Sequence, residues 1–263
     1  MLLAVDIGNT NITLGVWDGH LWRKQWRLRT EQGRTTDEYG ATLNVLLRDA
    51  GLKKAIKHVI LASVVPSLTE TFARLSERYL GQTAVLINHT LATDIRVCTD
   101  EPAKTGVDRV ANAAAAFHLY PGPSIIIDMG TATKLDVVTA VGDFLGGVIA
   151  PGLGLAADAL TSRAAQLNQV AFTAPPQALG RNTVHAIQSG LIFGYVSLIE
   201  GMVTRLLAEH PDNGHPITII GTGGFIHLVA PHTTVFDLID PSLTLSGLRI
   251  IHERLTDTQR DLS

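Results

Sequence analysis

Apolar positions along this chain follow two periods, and they alternate in blocks. Leu2 to Asp6 is a short apolar run ending in a carboxylate, the pattern of a buried strand. Asn11 to Trp17 alternates enough for a second strand, and Leu21 to Leu28 for a third. Thr35-Thr36-Asp37-Glu38 has capping-box spacing. Behind it Tyr39, Leu43, Leu46 and Leu47 recur at helical intervals, and Gly51 closes the helix. Val59 to Val64 predicts another strand. Ser67 and Glu70 predict a second capping box, before a helix carrying Phe72, Leu75 and Tyr79. Ala84 to Ile87 reads as a strand again.

The alanine-rich segment Val110 to Phe117 predicts a helix, after which the opening pattern returns. Ser124 to Asp128 is a buried-strand run, Leu135 to Thr139 a second strand, Gly142-Asp143 a turn and Phe144 to Ile149 a third strand. A long helix is expected from Asn182 to about His210, with Gly190 and Gly194 allowing close packing while weakening it in isolation. Ile217 to Ile220 predicts a strand entering Gly221-Thr222-Gly223-Gly224, and Leu245 to Leu255 a last helix. Hairpin strands followed by alternating helix and strand indicate a mixed α/β sheet. Laid over each other, the halves put Asp6 on Asp128 and Gly8 on Gly130, about half the chain apart. The strand before, the strand after and the offset agree on an internal duplication.

Composition narrows the classes. The 263 residues are 46% hydrophobic and 17% charged, enough apolar content for a sizeable core in one large or two small domains. The net charge of -3 offers no basic surface for nucleic acid. One cysteine, Cys98, excludes an intramolecular disulfide framework and a cysteine-rich zinc site. The ten histidines show no metal spacing. The first residues lack a basic segment, and no run of 18 apolar residues occurs, so the expectation is a cytoplasmic protein with no membrane partner.

Three glycine turns carry the candidate chemistry. Asp6-Ile7-Gly8-Asn9-Thr10-Asn11 follows a strand; its glycine lets backbone N–H groups face an anion, and its carboxylate is placed for Mg²⁺. A plain hairpin turn would use the same residues. The duplicate at Asp128-Met129-Gly130-Thr131 favours a two-sided phosphate clamp, the layout of actin-like ATPases and sugar kinases. The third turn, Gly221 to Gly224, is not a dinucleotide fingerprint, because Ile226 stands where the last glycine is required. It fits an adenosine or phosphate turn of a second lobe. Gly106-Val107-Asp108-Arg109 opens a helix. Asp108 reads either as an N-terminal cap or as a base for a hydroxyl proton, and Arg109 either as surface charge or as a bidentate ligand for an acidic substrate.

Taken together, these strings resemble the type III pantothenate kinases. The likeness rests on DIGNTN at 6–11, TDEYG at 36–40, SVVPSLT at 63–69, GVDR at 106–109, DMGTAT at 128–133, GGVIAPGL at 146–153, GRNTVHAIQSG at 180–190, GTGG at 221–224 and LTLSGLR at 243–249. It implies a duplicated actin-like (RNase H-like) α/β fold, with lobes at 1–117 and 118–263 around a nucleotide cleft. It also implies a homodimer that phosphorylates pantothenate with ATP, the first step to coenzyme A. By the same resemblance, Asp6, Ile7, Gly8, Asn9, Thr10, Asn11, Ile12 and Thr13 hold the ATP phosphates and their magnesium, with Thr131 on ATP. Asp108 is the general base, and Gly106, Val107, Asp108, Arg109, Thr99 and Thr183 form the pantothenate site. Asp128 binds the monovalent cation, potassium or ammonium, that the family requires.

Two positions depart from the family pattern. Thr99 stands where a tyrosine is usual, and Lys134 where the usual string is threonine-alanine-threonine-threonine. Lys134 reads either as a solvated strand residue or as an ammonium near Asp128 or the phosphates that alters the cation requirement. Thr99 leaves open a kinase for another small hydroxy acid. A nucleotide-binding regulator on the same scaffold is the rival from another class, opposed by the joint presence of Asp6, Asp108 and Asp128.

Overall fold

In the computed structural model, residues 1–88, 91, 94–163 and 170–261 are described. The opening apolar run forms β1 (Leu2–Ile7), with five of its six residues buried and only Asp6 partly exposed. The polar loop after it folds the chain back into β2 (Asn11–Trp17), which pairs antiparallel with β1 and then with β3 (Trp22–Arg29). Helix α1 (Thr36–Asp49) starts with the expected capping box. The Thr35 side chain accepts from the Glu38 N–H, and the Glu38 carboxylate accepts from the Thr35 N–H. Gly51, at φ +69°, ends it.

Strand β4 (His58–Ser63) joins β1 in parallel, and β5 (Ala84–Leu86) joins β4. Between them runs α2 (Pro66–Leu75). Its start differs from the expectation of a Ser67–Glu70 box: Pro66 occupies the first turn and Val65 the cap. Proline has its φ already set for that position and no N–H to satisfy, so it outcompetes the serine one residue on. Glu70 instead pairs with Arg74 along the helix surface. A short strand β6 (Arg96–Val97) and helix α3 (Val107–Leu119) follow.

The second run of elements repeats the first. β7 (Ser124–Met129) has the same length and burial pattern as β1. It pairs antiparallel with β8 (Ala132–Val138), which pairs with β9 (Asp143–Pro151). Helix α4 (Leu153–Arg163) and the long α5 (Thr183–Glu209) precede β10 (Thr218–Thr222), which lies parallel to β7. A one-turn helix α6 (Ile226–Val229), strand β11 (Leu238–Ile239) beside β10, and helix α7 (Leu243–Asp261) complete the chain. The strand orders β3-β2-β1-β4-β5 and β9-β8-β7-β10-β11 are the same topology twice. Even the register shifts recur, at Val16/Trp17 and Val137/Val138.

Each copy has its own core. Val5, Ile7, Ile12, Leu14, Tyr39, Phe72 and Leu61 are among the first, and Ile125, Ile127, Leu135, Ile192, Ile199 and Ile219 among the second. The compact units are Met1–His118 with Leu243–Ser263, and Leu119–Ser242. The terminal helix therefore belongs with the first unit, not with the 118–263 half where its position in sequence put it. Gly247 is the reason: a Cβ there would collide with the Ala111 carbonyl, so α7 lies backbone-close on α3. Thr244 Oγ1 donates to Asn112 Oδ1 at 2.8 Å, and the Arg249 guanidinium lies 4.8 Å from the Trp17 ring centroid.

Helix α5 is long and apolar enough to cross a membrane by length and composition. Its inner residues Leu191, Ile192, Val196, Ile199 and Val203 are nonetheless part of the second core.

Candidate active site

The first glycine turn is built by β1 and β2. Register places Asp6 opposite Thr13 and Ile7 opposite Ile12, so Gly8, Asn9 and Thr10 form the loop. The Gly8 N–H donates to the Asn11 carbonyl at 3.0 Å, and a Cβ on Gly8 would stand 3.0 Å from that same oxygen. Asn9, Thr10 and Asn11 are exposed at the tip of the loop. Thr30 braces the loop from outside: its hydroxyl donates to the Gly8 carbonyl at 2.7 Å, and its N–H donates to the Thr10 carbonyl at 3.0 Å. Thr30 is itself held through its neighbour. The Glu31 N–H donates to the Tyr39 hydroxyl at 2.9 Å, and Tyr39 is fully buried. Neither Thr30 nor the hydroxyl of Tyr39 was singled out by sequence reasoning; a bond spanning 22 residues leaves no local signal. Gly40 completes the TDEYG string, because a side chain there would strike the Tyr79 ring, whose hydroxyl donates to Asp37 at 2.8 Å.

The second turn is one residue tighter. The Gly130 N–H donates to the Ala132 carbonyl at 3.0 Å. Its brace has the same form. The Tyr195 hydroxyl on α5 donates to the Pro151 carbonyl at 2.8 Å, and burial pushes that phenol above its usual range. The next residue, Gly152, donates its N–H to the Thr131 carbonyl at 3.1 Å, and a Cβ on Gly152 would collide with that carbonyl. Thr131 is thus fixed by backbone, half-exposed at the turn.

Asp128 sits on β7 between two strands, opposite Lys134 on β8 and Thr222 on β10. Lys134 Nζ lies 2.8 Å from Asp128 Oδ2, with the two side chains 13% and 14% exposed. Gly223, at φ +94°, packs against the same carboxylate; a Cβ there would be 2.6 Å from Asp128 Oδ1 and 2.5 Å from the Met129 nitrogen. Gly223 in the third glycine turn therefore serves the second one. The Lys134 ammonium therefore already stands at the carboxylate on which the monovalent cation was expected.

In the first unit, Gly106 precedes α3, and its carbonyl accepts from the N–H groups of Arg109 at 3.0 Å and Val110 at 3.2 Å. Val107, Asp108 and Arg109 form the first turn, all partly exposed. Asp108 folds back over Gly106, where a Cβ would lie 2.6 Å from Asp108 Oδ1, so a side chain at 106 would displace this carboxylate. Thr99 joins this group: its hydroxyl is 3.0 Å from that of Thr105, the residue before Gly106. Thr183 opens α5 in the second unit and is exposed, with Asn182 capping the helix through the His185 N–H at 2.8 Å.

Among the described residues no group of three or more His, Cys, Asp or Glu is placed to hold a metal. Magnesium carried by nucleotide phosphates needs no such group, only one or two carboxylates beside the phosphate loop. Half-buried Asp6, at the end of β1, has the right chemistry for that.

Comparison with known proteins agrees with this arrangement. The structure is similar to that of MreB 5 of Spiroplasma citri bound to AMPPNP, with a TM-score of 0.58 at 13% identity, covering 100% of this chain and 98% of the other. That likeness shows the duplicated actin-like ATPase fold. At the sequence level, the chain is 42% identical to a type III pantothenate kinase of Moorella thermoacetica, over 97% of this chain and 100% of the relative. It is 46% identical to one from Rhodospirillum centenum, over 97% of this chain and 98% of the relative. A family description of the type III pantothenate kinases matches residues 2–205, and the chain belongs to that family.

Proposed function

We propose that this chain transfers the γ-phosphoryl group of ATP to the primary hydroxyl of pantothenate, giving 4'-phosphopantothenate and ADP. The observation that carries the reading is family membership along the whole chain, at 42% to 46% identity. The loop from Asp6 to Thr13 binds the nucleotide phosphates through backbone N–H groups and the exposed side chains of Asn9, Thr10 and Asn11. Asp6 holds the magnesium ion, which when bound neutralises phosphate charge. Thr131 also contacts the nucleotide. Gly106, Val107, Arg109 and Thr99, with Thr183, bind pantothenate, the Arg109 guanidinium taking its carboxylate.

Asp108 accepts the hydroxyl proton as the new O–P bond forms. The bond from the γ-phosphorus to the bridging oxygen breaks, and its electron pair leaves with ADP. Beyond this the chemistry needs only in-line positioning. Thr99 is shorter than the tyrosine it replaces, and its hydroxyl is engaged with Thr105. Pantothenate binding therefore leans on Arg109 and Thr183.

The active form is a homodimer joined through α5. Gly190, Gly194 and Gly201 recur on an exposed side of that helix, each with open space where a Cβ would be. Such spacing lets two helix backbones approach closely.

The test is ADP release from ATP with pantothenate, with a panel of other small hydroxy acids, and with neither. Pantothenate-dependent release with product of the phosphopantothenate mass is expected. ATP binding without turnover on any acceptor would leave a nucleotide-binding regulator. Turnover on another acid alone would reassign the substrate.

A further inference from the structure

Asp128 and Lys134 are directly opposed across the β7–β8 pair, so the lysine reaches the carboxylate without leaving its own strand. Both lie on the face away from the second core, which is lined from these strands by Ile125, Ile127, Met129, Leu135 and Val137. Both side chains are nonetheless largely out of water, at 14% and 13% exposure, and their charged atoms are 2.8 Å apart. Two charges removed from solvent in this way persist only as a pair. This is not the geometry of a solvated strand lysine.

The duplication supplies an internal comparison. In the first unit the same register position, opposite Asp6, is held by Thr13. The strand pair folds there with a neutral hydroxyl, so the architecture itself does not require a lysine. What the lysine adds is a fixed positive charge at the Asp128 carboxylate. An alkylammonium head is a tethered ammonium ion, and ammonium and potassium are close in size and identical in charge. A free cation bound to the same oxygen would sit against the lysine head, with like charges in contact in a poorly solvated place.

We propose that Lys134 is a resident cation: its ammonium takes the place at Asp128 that a potassium or ammonium ion would otherwise fill, so this chain needs no added monovalent ion. The proposal deepens the kinase reading and rests on it for its activity assay. It makes Lys134 a positioning residue, acting on the second glycine turn through Asp128.

The experiment compares wild type with Lys134→Thr, the residue the first unit uses. Each protein is exchanged into tetramethylammonium buffer, then given potassium, ammonium or sodium chloride at constant ionic strength. Two quantities are read: pantothenate-dependent ADP release, and the thermal midpoint of the protein without nucleotide. Wild-type rates are expected to agree within about twofold in all salts, with no potassium-specific rise in midpoint. Lys134→Thr is expected to lose turnover in tetramethylammonium and regain about tenfold or more with potassium or ammonium. Its midpoint is expected to rise with those ions and not with sodium.

A wild-type rate or midpoint that rises specifically with potassium overturns the proposal. So does a Lys134→Thr protein as indifferent to potassium as wild type. If Lys134→Thr does not fold, Lys134→Ala opens the same space, and the wild-type arms decide by themselves. If no protein turns over pantothenate, the kinase reading fails, while the midpoints still report whether a cation enters beside Asp128.

Discussion

Asp6 and Asp128 hold the same place in two strands built alike. Each is the fifth of six residues and half-buried between buried neighbours, and each pairs across an antiparallel partner and a parallel one. The partners differ. Asp6 faces Thr13 and Ala62; Asp128 faces Lys134 and Thr222. One duplicated element thus offers two carboxylates with different neighbours across the ladder, the second of them paired with an ammonium.

Asp108 lies in the first turn of α3 with its carboxylate over Gly106. Replacing it with asparagine keeps the shape and the contact with Gly106 but removes the proton acceptor. Asp108→Asn is expected to bind ATP as wild type does and to lose about 10²- to 10⁴-fold in kcat. Nucleotide titration and steady-state ADP release measure the two halves separately. A kcat near that of wild type would remove the base assignment.

The strands were legible because each runs into a residue that breaks the apolar pattern: Asp6 one residue before the end of β1, Asp128 one residue before the end of β7, and Gly142 at φ +85° between β8 and β9. Helix α1 was legible through Thr35 and Glu38, whose bonds are local. Helix α4 was not, since Gly152 and Gly154 around its start look like loop residues. Gly152 is small because its backbone packs on Thr131, not because the chain turns freely there. The braces through Thr30, Tyr39 and Tyr195 were not legible either, for their partners are distant in sequence. The choice between the two roles of Lys134 needed the hairpin register, which puts it opposite Asp128.

Gly223 is one of the residues on which the second turn depends. It holds φ +94°, and a methyl group would lie 2.5 Å from the Met129 nitrogen and 2.6 Å from Asp128 Oδ1. Alanine must adopt a strained backbone and displace either the carboxylate or the strand end. Gly223→Ala is expected to cost about 1–3 kcal/mol of stability and to lower turnover further by misplacing Asp128. Gly8→Ala meets a single atom at 3.0 Å and has no positive φ to satisfy, so its loss of stability should be smaller. Urea midpoints of the two variants check the order; equal stability of Gly223→Ala and wild type would show that the Asp128 turn gives way without strain.

A pH dependence follows from His252 on α7. Its ring lies 5.0 Å from that of His58, and Asp18, Glu253 and Asp257 line the same depression of about 440 Å³. Burial, and then the neighbouring His58, depress its pKa to about 4. The unfolded chain takes up a proton near pH 6.5, whereas the folded one resists until about pH 4. Stability held above pH 6.5 is therefore lost as pH falls through that interval. Allowing for solvent screening of a partly exposed ring, the loss from this group is about 1–2 kcal/mol. His118 adds to the slope in the same direction, its pKa lowered by burial and by Arg254 against the opposing pull of Asp94. His252→Gln should remove part of the slope but not all of it. Thermal midpoints from neutral pH downward test this: a variant curve parallel to wild type would mean that His252 already exchanges its proton freely in the folded chain.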